Sequence, residues 1–131
     1  MPDINWLAVL AAAFSAFLLG GLWYSPAMFM KTWQRGAGLT DEQLKAGNPA
    51  KIYGGAFVLS LIAAATFAMF LGKLPVAEAT AYGFCAGLAW VAASFGINYL
   101  FEHRPLSLLM VNGGYHTLQF TLYGLILGLW H

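Results

Sequence analysis

The sequence predicts an all-α integral membrane bundle of four antiparallel transmembrane helices, with a short interfacial helix in the first loop. Four stretches carry no charged side chain: residues 4–30, 52–72, 79–101 and 105–130. Each can supply the roughly 20 residues that a helix needs to cross about 30 Å of hydrocarbon. Only 8% of the residues are charged and 60% are hydrophobic, whereas a soluble domain has roughly 25% charged residues. The bilayer is therefore the expected solvent.

We predict a single four-helix transmembrane domain over 1–131, with helices at about 4–30, 52–72, 79–101 and 106–130 and a cytoplasmic loop at 31–51. The second and third connections are short, which predicts that consecutive helices are antiparallel neighbours. In the first loop, Thr40 and Gln43 have the T-x-x-Q spacing of a capping box, which predicts a short helix from Asp41 to about Gly47.

Basic residues predict how the helices are oriented. Those of the first and third loops are Lys31, Arg35, Lys45, Lys51 and Arg104, whereas Lys73 alone lies in the second loop. Basic loops stay in the cytoplasm, so both termini are predicted on the extracytoplasmic side. Trp23 and Tyr24 then fall at the inner interface as aromatic anchors, where rings of this kind are common. In the alternative interpretation, Tyr24 and Ser25 close the inner mouth of a pocket.

Polar side chains on the third and fourth helices form the most specific chemical pattern. Four of them, Asn112, His116, Gln119 and Tyr123, follow i, i+4, i+7 and i+11 on one face of the fourth helix. On the third helix, Ser94 and Asn98 continue the face of Gly83 and Gly87. We expect these two faces to meet in the cytoplasmic half of the bundle.

Two interpretations of these polar residues remain open. In the first, the side chains form hydrogen bonds between helices and fix how the bundle packs. In the second, they line a pocket open to the cytoplasm, where His116 binds a solute or carries a proton. Both interpretations keep the polar groups away from lipid, where an unpaired polar group is unfavourable.

The third loop places Glu102, His103 and Arg104 directly below the polar faces. Arg104 could pair with Glu102 or with lipid phosphate, which predicts a cytoplasmic clasp. A gate, or a contact with a ligand, is the alternative role for these residues.

Four glycines have the spacing of helix-packing motifs. Gly83 and Gly87 form one GxxxG pair, and Gly124 and Gly128 form another. Small residues at this spacing let helix backbones approach closely. The spacing leaves open whether the contacts lie within one bundle or between subunits.

Several classes of function find no support in the sequence. A net charge of +1 with six Lys and Arg excludes the clustered basic face that a nucleic-acid partner requires. His103, His116 and His131 are too dispersed to predict a metal site, and no cofactor is predicted. There is no nucleophile elbow and no glycine-rich phosphate loop after a strand.

Several short motifs identify a family resemblance. They are Asn5-Trp6, Trp23-Tyr24-Ser25-Pro26, Tyr99-Leu100-Phe101-Glu102, Arg104-Pro105 and Asn112-Gly113-Gly114-Tyr115-His116. Together they resemble a bacterial family of small four-helix membrane proteins of unknown function, DUF1761, over nearly the whole chain. The resemblance implies a multi-pass protein of the bacterial inner membrane and brings no substrate or reaction with it.

Three functional hypotheses follow. The first is a homo-oligomer with a polar pocket for binding or transport of a small solute or ion, because four short helices enclose little space and a pathway would form most easily between subunits. The alternative is an accessory or structural subunit without transport or catalytic activity. A membrane enzyme that uses His116 or Glu102 in acid–base chemistry is the weakest, since neither residue has a convincing partner. The bilayer is an expected partner in every case. Self-association is part of the first hypothesis, and the accessory subunit packs against itself or against a larger membrane complex.

Overall fold

The computed structural model describes residues 3–131, and within that range the chain is helical and contains no strand. The helices are α1 (Trp6–Trp23), α2 (Met30–Ala37), α3 (Asp41–Ala46), α4 (Pro49–Leu71), α5 (Val76–Cys85), α6 (Ala93–Glu102) and α7 (Leu106–Leu129), and a π-helical segment, Ala86–Ala92, joins α5 to α6. The all-α prediction is confirmed for these residues. Met1 and Pro2, which the predicted domain includes, lie outside the described range.

Three helices within residues 3–131 are long and apolar enough to cross a membrane: α1, α4 and the continuous helix Val76–Glu102. Helices of this kind indicate a membrane protein. The fourth long helix, α7, has 24 residues, but Asn112, His116 and Gln119 lower its hydropathy. α7 packs against parts of all three other long helices and against α2, so its polar side chains have protein neighbours.

The first long helix ends earlier than predicted. The expected helix reached residue 30, but α1 ends at Trp23. Pro26 disfavours helical geometry at Ser25, so the chain turns before α2 begins. The sequence did not predict α2 as a separate helix. Its Gly36 is buried against the side chain of Leu108, at the start of α7.

Two helix starts follow from capping groups. The Asn48 side chain accepts hydrogen bonds from the backbone N–H groups of Ala50 and Lys51. Pro49 occupies the first turn, where its missing N–H is harmless, so α4 begins before the predicted residue 52. The capping box of α3 forms as predicted, with Thr40 Oγ1 accepting from Gln43 N at 3.2 Å. That α3 rests on the membrane surface stays a prediction.

Hydrogen bonds at both ends show that α1 and α7 run antiparallel. Asn5, before α1, donates to the carbonyl of Trp130 at 3.3 Å. Trp23, at the end of α1, donates from Nε1 to the carbonyl of Val111 at 2.9 Å. Between them, α1 presents a buried alanine face, formed by Ala8, Ala12, Ala13 and Ala16. Side chains this small let neighbouring helices approach α1 closely.

The expected packing of α4 against α5 is not found in the structure. Their connection is short, but α4 packs mainly on α1, whereas α5 packs on α7. A groove therefore remains between α4 and α5, lined in part by Phe67, Tyr82 and Trp90. Short loops restrict which helices can be neighbours, but the buried faces decide which of them pack together.

The π-helical segment changes which face of the third long helix points inwards. Ser94 and Asn98 were expected to face α7, but both are exposed. One extra residue in a π-helical turn rotates the side chains that follow it by about 100°. The inward positions after Gly87 are consequently Ala92 and Gly96, which are buried. The predicted meeting of the two polar faces is therefore wrong.

Candidate functional site

A chain of hydrogen bonds runs from His116 to the core between α7, α4 and α1. Nδ1 of His116 lies 2.5 Å from Oε1 of Gln119, and Nε2 of Gln119 donates to the Tyr123 hydroxyl at 2.7 Å. That hydroxyl lies 2.5 Å from Oγ of Ser60 on α4. Oγ of Ser60 also donates to the carbonyl of Ala13 on α1, at 3.4 Å. Three long helices are thus joined through one polar chain.

This chain is deeply buried at its inner end. Tyr123 has 0% exposure and Gln119 has 7%. The Tyr123 hydroxyl has two acceptors on α4 for its single hydrogen, Oγ of Ser60 and the backbone carbonyl of Ser60 at 3.2 Å. Buried hydroxyl and amide groups stabilise a structure only when they are paired, and each of these groups has a partner.

A second set of hydrogen bonds lies nearer to the start of α7. The Tyr24 hydroxyl donates to Oδ1 of Asn112 at 2.6 Å. Nδ2 of Asn112 donates to the Tyr99 hydroxyl at 2.7 Å. Asn112 therefore connects the segment after α1 to α6 across α7. The carbonyl oxygen and the amino group of the Asn112 side chain each make a hydrogen bond.

The two predicted aromatic anchors contact the protein interior. Trp23 donates to Val111 of α7, and Tyr24 bonds to Asn112 of the same helix. Both rings are half-buried. Tyr115 makes a similar link in the opposite direction, because its hydroxyl donates to the carbonyl of Ala16 on α1 at 2.8 Å. These aromatic residues attach α7 to α1 and to the segment that follows it.

The structure brings together four of the six predicted pocket residues and separates the other two. Asn112, His116, Gln119 and Tyr123 share one side of α7 and belong to the two hydrogen-bond sets. Ser94, in contrast, bonds only to the Trp90 carbonyl of its own helical segment, and Asn98 is exposed.

Sequence reasoning missed three members of the hydrogen-bond sets: Ser60, Tyr99 and Tyr115. Ser60 is one of few hydroxyl groups in an otherwise apolar helix, which is a usable signal. Tyr115 directly precedes His116, and its position predicts a contact with a neighbouring helix. Tyr99 has no such signal, because only the π-helical segment turns it towards Asn112.

Among residues 3–131, none of the six predicted pocket residues lines either of two surface grooves. The larger, of about 560 Å³, runs along α7 beside Trp23 and the π-helical segment. The smaller, of about 350 Å³, lies between α4 and α5. Both are lined almost entirely by apolar and small residues. Within residues 3–131, no inaccessible polar side-chain atom lacks a hydrogen-bond partner.

The four glycines lie at one contact between α5, its π-helical extension and α7. A Cβ atom at Gly83 would collide with the carbonyl of Phe120, and one at Gly124 would collide with the carbonyl of Ala79. At Gly87, a Cβ atom would lie 2.6 Å from the carbonyl oxygen of His116, and at Gly128 it would lie 2.8 Å from the Cα atom of Val76. The contacts that the sequence left open thus lie within one chain.

The predicted clasp ends α6 and joins it to α2. His103 has a positive φ of 57°, and the following N–H, of Arg104, donates to the carbonyl of Tyr99 at 2.9 Å. Nη1 of Arg104 donates to the carbonyl of Ala37, the last residue of α2, at 3.1 Å. A cation at a helix C-terminus is favourable. The ion pair between Arg104 and Glu102 is longer, at 3.5 Å, with both side chains exposed.

Replacing Arg104 with alanine is expected to lower the free energy of unfolding by about 1 kcal/mol, because the Ala37 carbonyl loses a charged donor. Glu102→Gln should change it by less than about 0.5 kcal/mol, since exposed ion pairs contribute little. Thermal unfolding of both variants in the same detergent measures the difference. Equal losses would show that the ion pair matters as much as the contact with α2.

The described residues include no group of three His, Cys, Asp or Glu side chains placed to hold a metal ion. Cys85 is a free, exposed thiol. What the geometry does define is two sets of hydrogen bonds along one side of α7.

Three helices that are long and apolar enough to cross a membrane pack against a fourth, more polar helix, and together they indicate a helical membrane protein. The profile of the family described as "Protein of unknown function (DUF1761)" matches residues 7–128. The chain therefore belongs to this family, and the resemblance inferred from its sequence motifs is confirmed. Comparisons with curated proteins and with solved structures found no match.

Proposed function

We propose that this protein is a structural or accessory subunit of a membrane complex in the bacterial inner membrane, without transport or catalytic activity. In this proposal all four long helices cross the bilayer and both termini are extracytoplasmic. The observation that supports the proposal most directly is the pairing of the polar groups on α7. Gln119 and Tyr123 are bonded to side chains and carbonyls of the same chain. Groups used in this way hold helices together and are not free for a solute.

The grooves support the same proposal. Each is lined by apolar side chains that match lipid or another helix, and neither offers the convergent polar groups that a small polar solute requires. Large apolar side chains are also exposed around the molecule, with Phe70 at 87% and Trp90 at 72%. In a bilayer such a surface contacts acyl chains or another membrane protein.

Self-association is part of the proposal, but it cannot use the glycine face. Gly83, Gly87, Gly124 and Gly128 are covered by the contact between α5 and α7. A second copy would have to pack on another apolar surface. Light scattering of the purified protein in mild detergent gives the mass of the particle, and a monomer would remove this part of the proposal.

The transport hypothesis predicts that the protein carries ions across a membrane, whereas a structural subunit carries none. A measurement of ion flux therefore tests the proposal. Liposomes that contain the protein should show proton and potassium flux equal to that of protein-free liposomes, because the polar groups form no continuous pathway. A pH-sensitive dye inside the vesicles, with and without a potassium ionophore, measures both. His116→Phe and Asn112→Leu should leave this background unchanged and lower thermal stability.

A flux above background that His116→Phe abolishes would contradict the proposal and establish the transport hypothesis. Asn98→Leu is the matched control for Asn112→Leu, because it removes the same amide from an exposed position. A variant could also lose flux because it no longer folds, and its circular dichroism spectrum identifies that case.

A further inference from the structure

The His116 ring has one nitrogen that the protein does not use. Nδ1 faces Oε1 of Gln119, and no hydrogen bond within the described part of the chain reaches Nε2. His116 is half-buried, and no inaccessible polar side-chain atom in residues 3–131 lacks a partner. Nε2 must therefore lie at the accessible surface.

The hydrogen-bond chain also fixes which nitrogen carries the proton. Nε2 of Gln119 donates to Tyr123, so Oε1 of Gln119 is the atom that faces the imidazole. A carbonyl oxygen only accepts, so the proton of a neutral ring lies on Nδ1. Nε2 then carries a lone pair and is a hydrogen-bond acceptor.

The depth of His116 makes an unused acceptor unusual. His116 lies ten positions beyond Leu106, the first residue of α7, which is about 15 Å along a helix that rises 1.5 Å per residue. If α7 crosses the bilayer, Nε2 is near the centre of a hydrocarbon layer about 30 Å thick. Hydrocarbon has no donor for it, so a membrane-dissolved molecule with an O–H group would be its natural partner.

The surroundings of the ring are aromatic. Phe95 is stacked on the imidazole with 5.0 Å between ring centroids and an angle of 7°, and Tyr115 meets it edge-on at 5.1 Å. The Phe95 ring also lies 5.7 Å from that of Tyr99. The Tyr99 hydroxyl accepts from Asn112, and its own hydrogen has no acceptor within residues 3–131. One free acceptor and one free donor thus flank Phe95.

We propose that the surface of His116, Phe95 and Tyr99 binds a membrane-dissolved aromatic hydroxyl compound, a phenol or a quinol. Its O–H group donates to Nε2 of His116, its oxygen is suited to accept from Tyr99, and its ring packs on the aromatic side chains. The inference rests on the part of the proposed function that places α7 across the bilayer, but not on the absence of transport or catalysis, because a structural subunit can also carry such a site.

Binding of 4-octylphenol to the protein in lipid nanodiscs tests the inference, with 4-octylphenol methyl ether as the matched ligand that lacks the donor. Equilibrium dialysis against empty nanodiscs corrects for partition into lipid. We expect the phenol to bind the wild-type protein about tenfold more tightly than the ether, because a hydrogen bond of about 1.4 kcal/mol corresponds to that factor. His116→Phe should abolish the preference, whereas His103→Phe, at the exposed turn, should retain it.

Nitrogen-15 NMR of the histidine side chains gives a second measurement, which uses only the wild-type protein and so does not require a variant to fold. The wild-type protein should show His116 protonated at Nδ1, with an Nε2 resonance that shifts when the phenol is added and stays fixed with the ether. Protonation at Nε2, or equal binding of phenol and ether, would overturn the inference. Neither result would affect the flux prediction, so the two proposals can fail separately.

Discussion

Gly83→Ala is expected to destabilise the protein by about 3 kcal/mol or more, since overpacking at a rigid contact is among the more damaging substitutions. A Cβ atom at this position meets the backbone carbonyl of Phe120. A backbone cannot move aside as a flexible side chain can, so α5 and α7 would have to separate. Gly124→Ala meets the carbonyl of Ala79 in the same way and should have a similar effect.

Two other glycines supply the matched control. Gly54 and Gly55 lie in α4, and a Cβ atom at either position has no neighbour within 4 Å. Alanine is favoured over glycine in a helix by about 1 kcal/mol, so Gly54→Ala should leave stability unchanged or raise it. Unfolding in mixed micelles with increasing denaturing detergent compares the three variants. A loss at Gly54 equal to that at Gly83 would contradict the account of helix packing.

Gln119→Leu is expected to lower the free energy of unfolding by about 2 kcal/mol, because it leaves buried polar partners unpaired. Leucine has nearly the same size, so the packing changes little. The change removes the acceptor of His116 Nδ1 and the donor to Tyr123 at once. Asn98→Leu replaces another amide by leucine on the same protein, but at an exposed position, and should have no such effect.

Double substitution makes this prediction sharper. If Gln119 acts through Tyr123, then Gln119→Leu should have a smaller effect in a Tyr123→Phe background than in the wild type. A cycle of the four proteins isolates this interaction. Additive losses would mean that the hydrogen bond between Gln119 and Tyr123 does not contribute to stability.

The number and the approximate positions of the long helices could be predicted from the sequence, because uncharged stretches of bilayer length have few alternative structures. Capping groups were also readable: the box of Thr40 and Gln43 forms as predicted. The early end of α1 was less accessible. Proline at position 26 signalled a bend, but the separate helix α2 depends on contacts such as that of Gly36 with Leu108.

The polar face of α7 was predictable from its helical spacing, whereas its partners were not. Periodicity assigns side chains to a face only while the helix keeps one repeat. The π-helical segment Ala86–Ala92 breaks that repeat, so Ser94 and Asn98 point outwards and Tyr99 contacts Asn112 instead. Sequence spacing also did not reveal that Trp23 and Tyr24 would bond to α7. Tryptophan and tyrosine are the residues expected at a membrane interface, so their presence did not distinguish an interfacial position from a contact with another helix.

Water-edited solid-state NMR of the labelled protein in lipid bilayers tests the central claim most directly, because it measures how fast magnetisation passes from water to each side chain. The internally paired network predicts slow transfer to Gln119 and Tyr123, as slow as to the buried Ala13, with fast transfer to the exposed Arg104. Transfer to Gln119 and Tyr123 as fast as to Arg104 would show a water-filled polar pocket and contradict the structural role proposed for these residues.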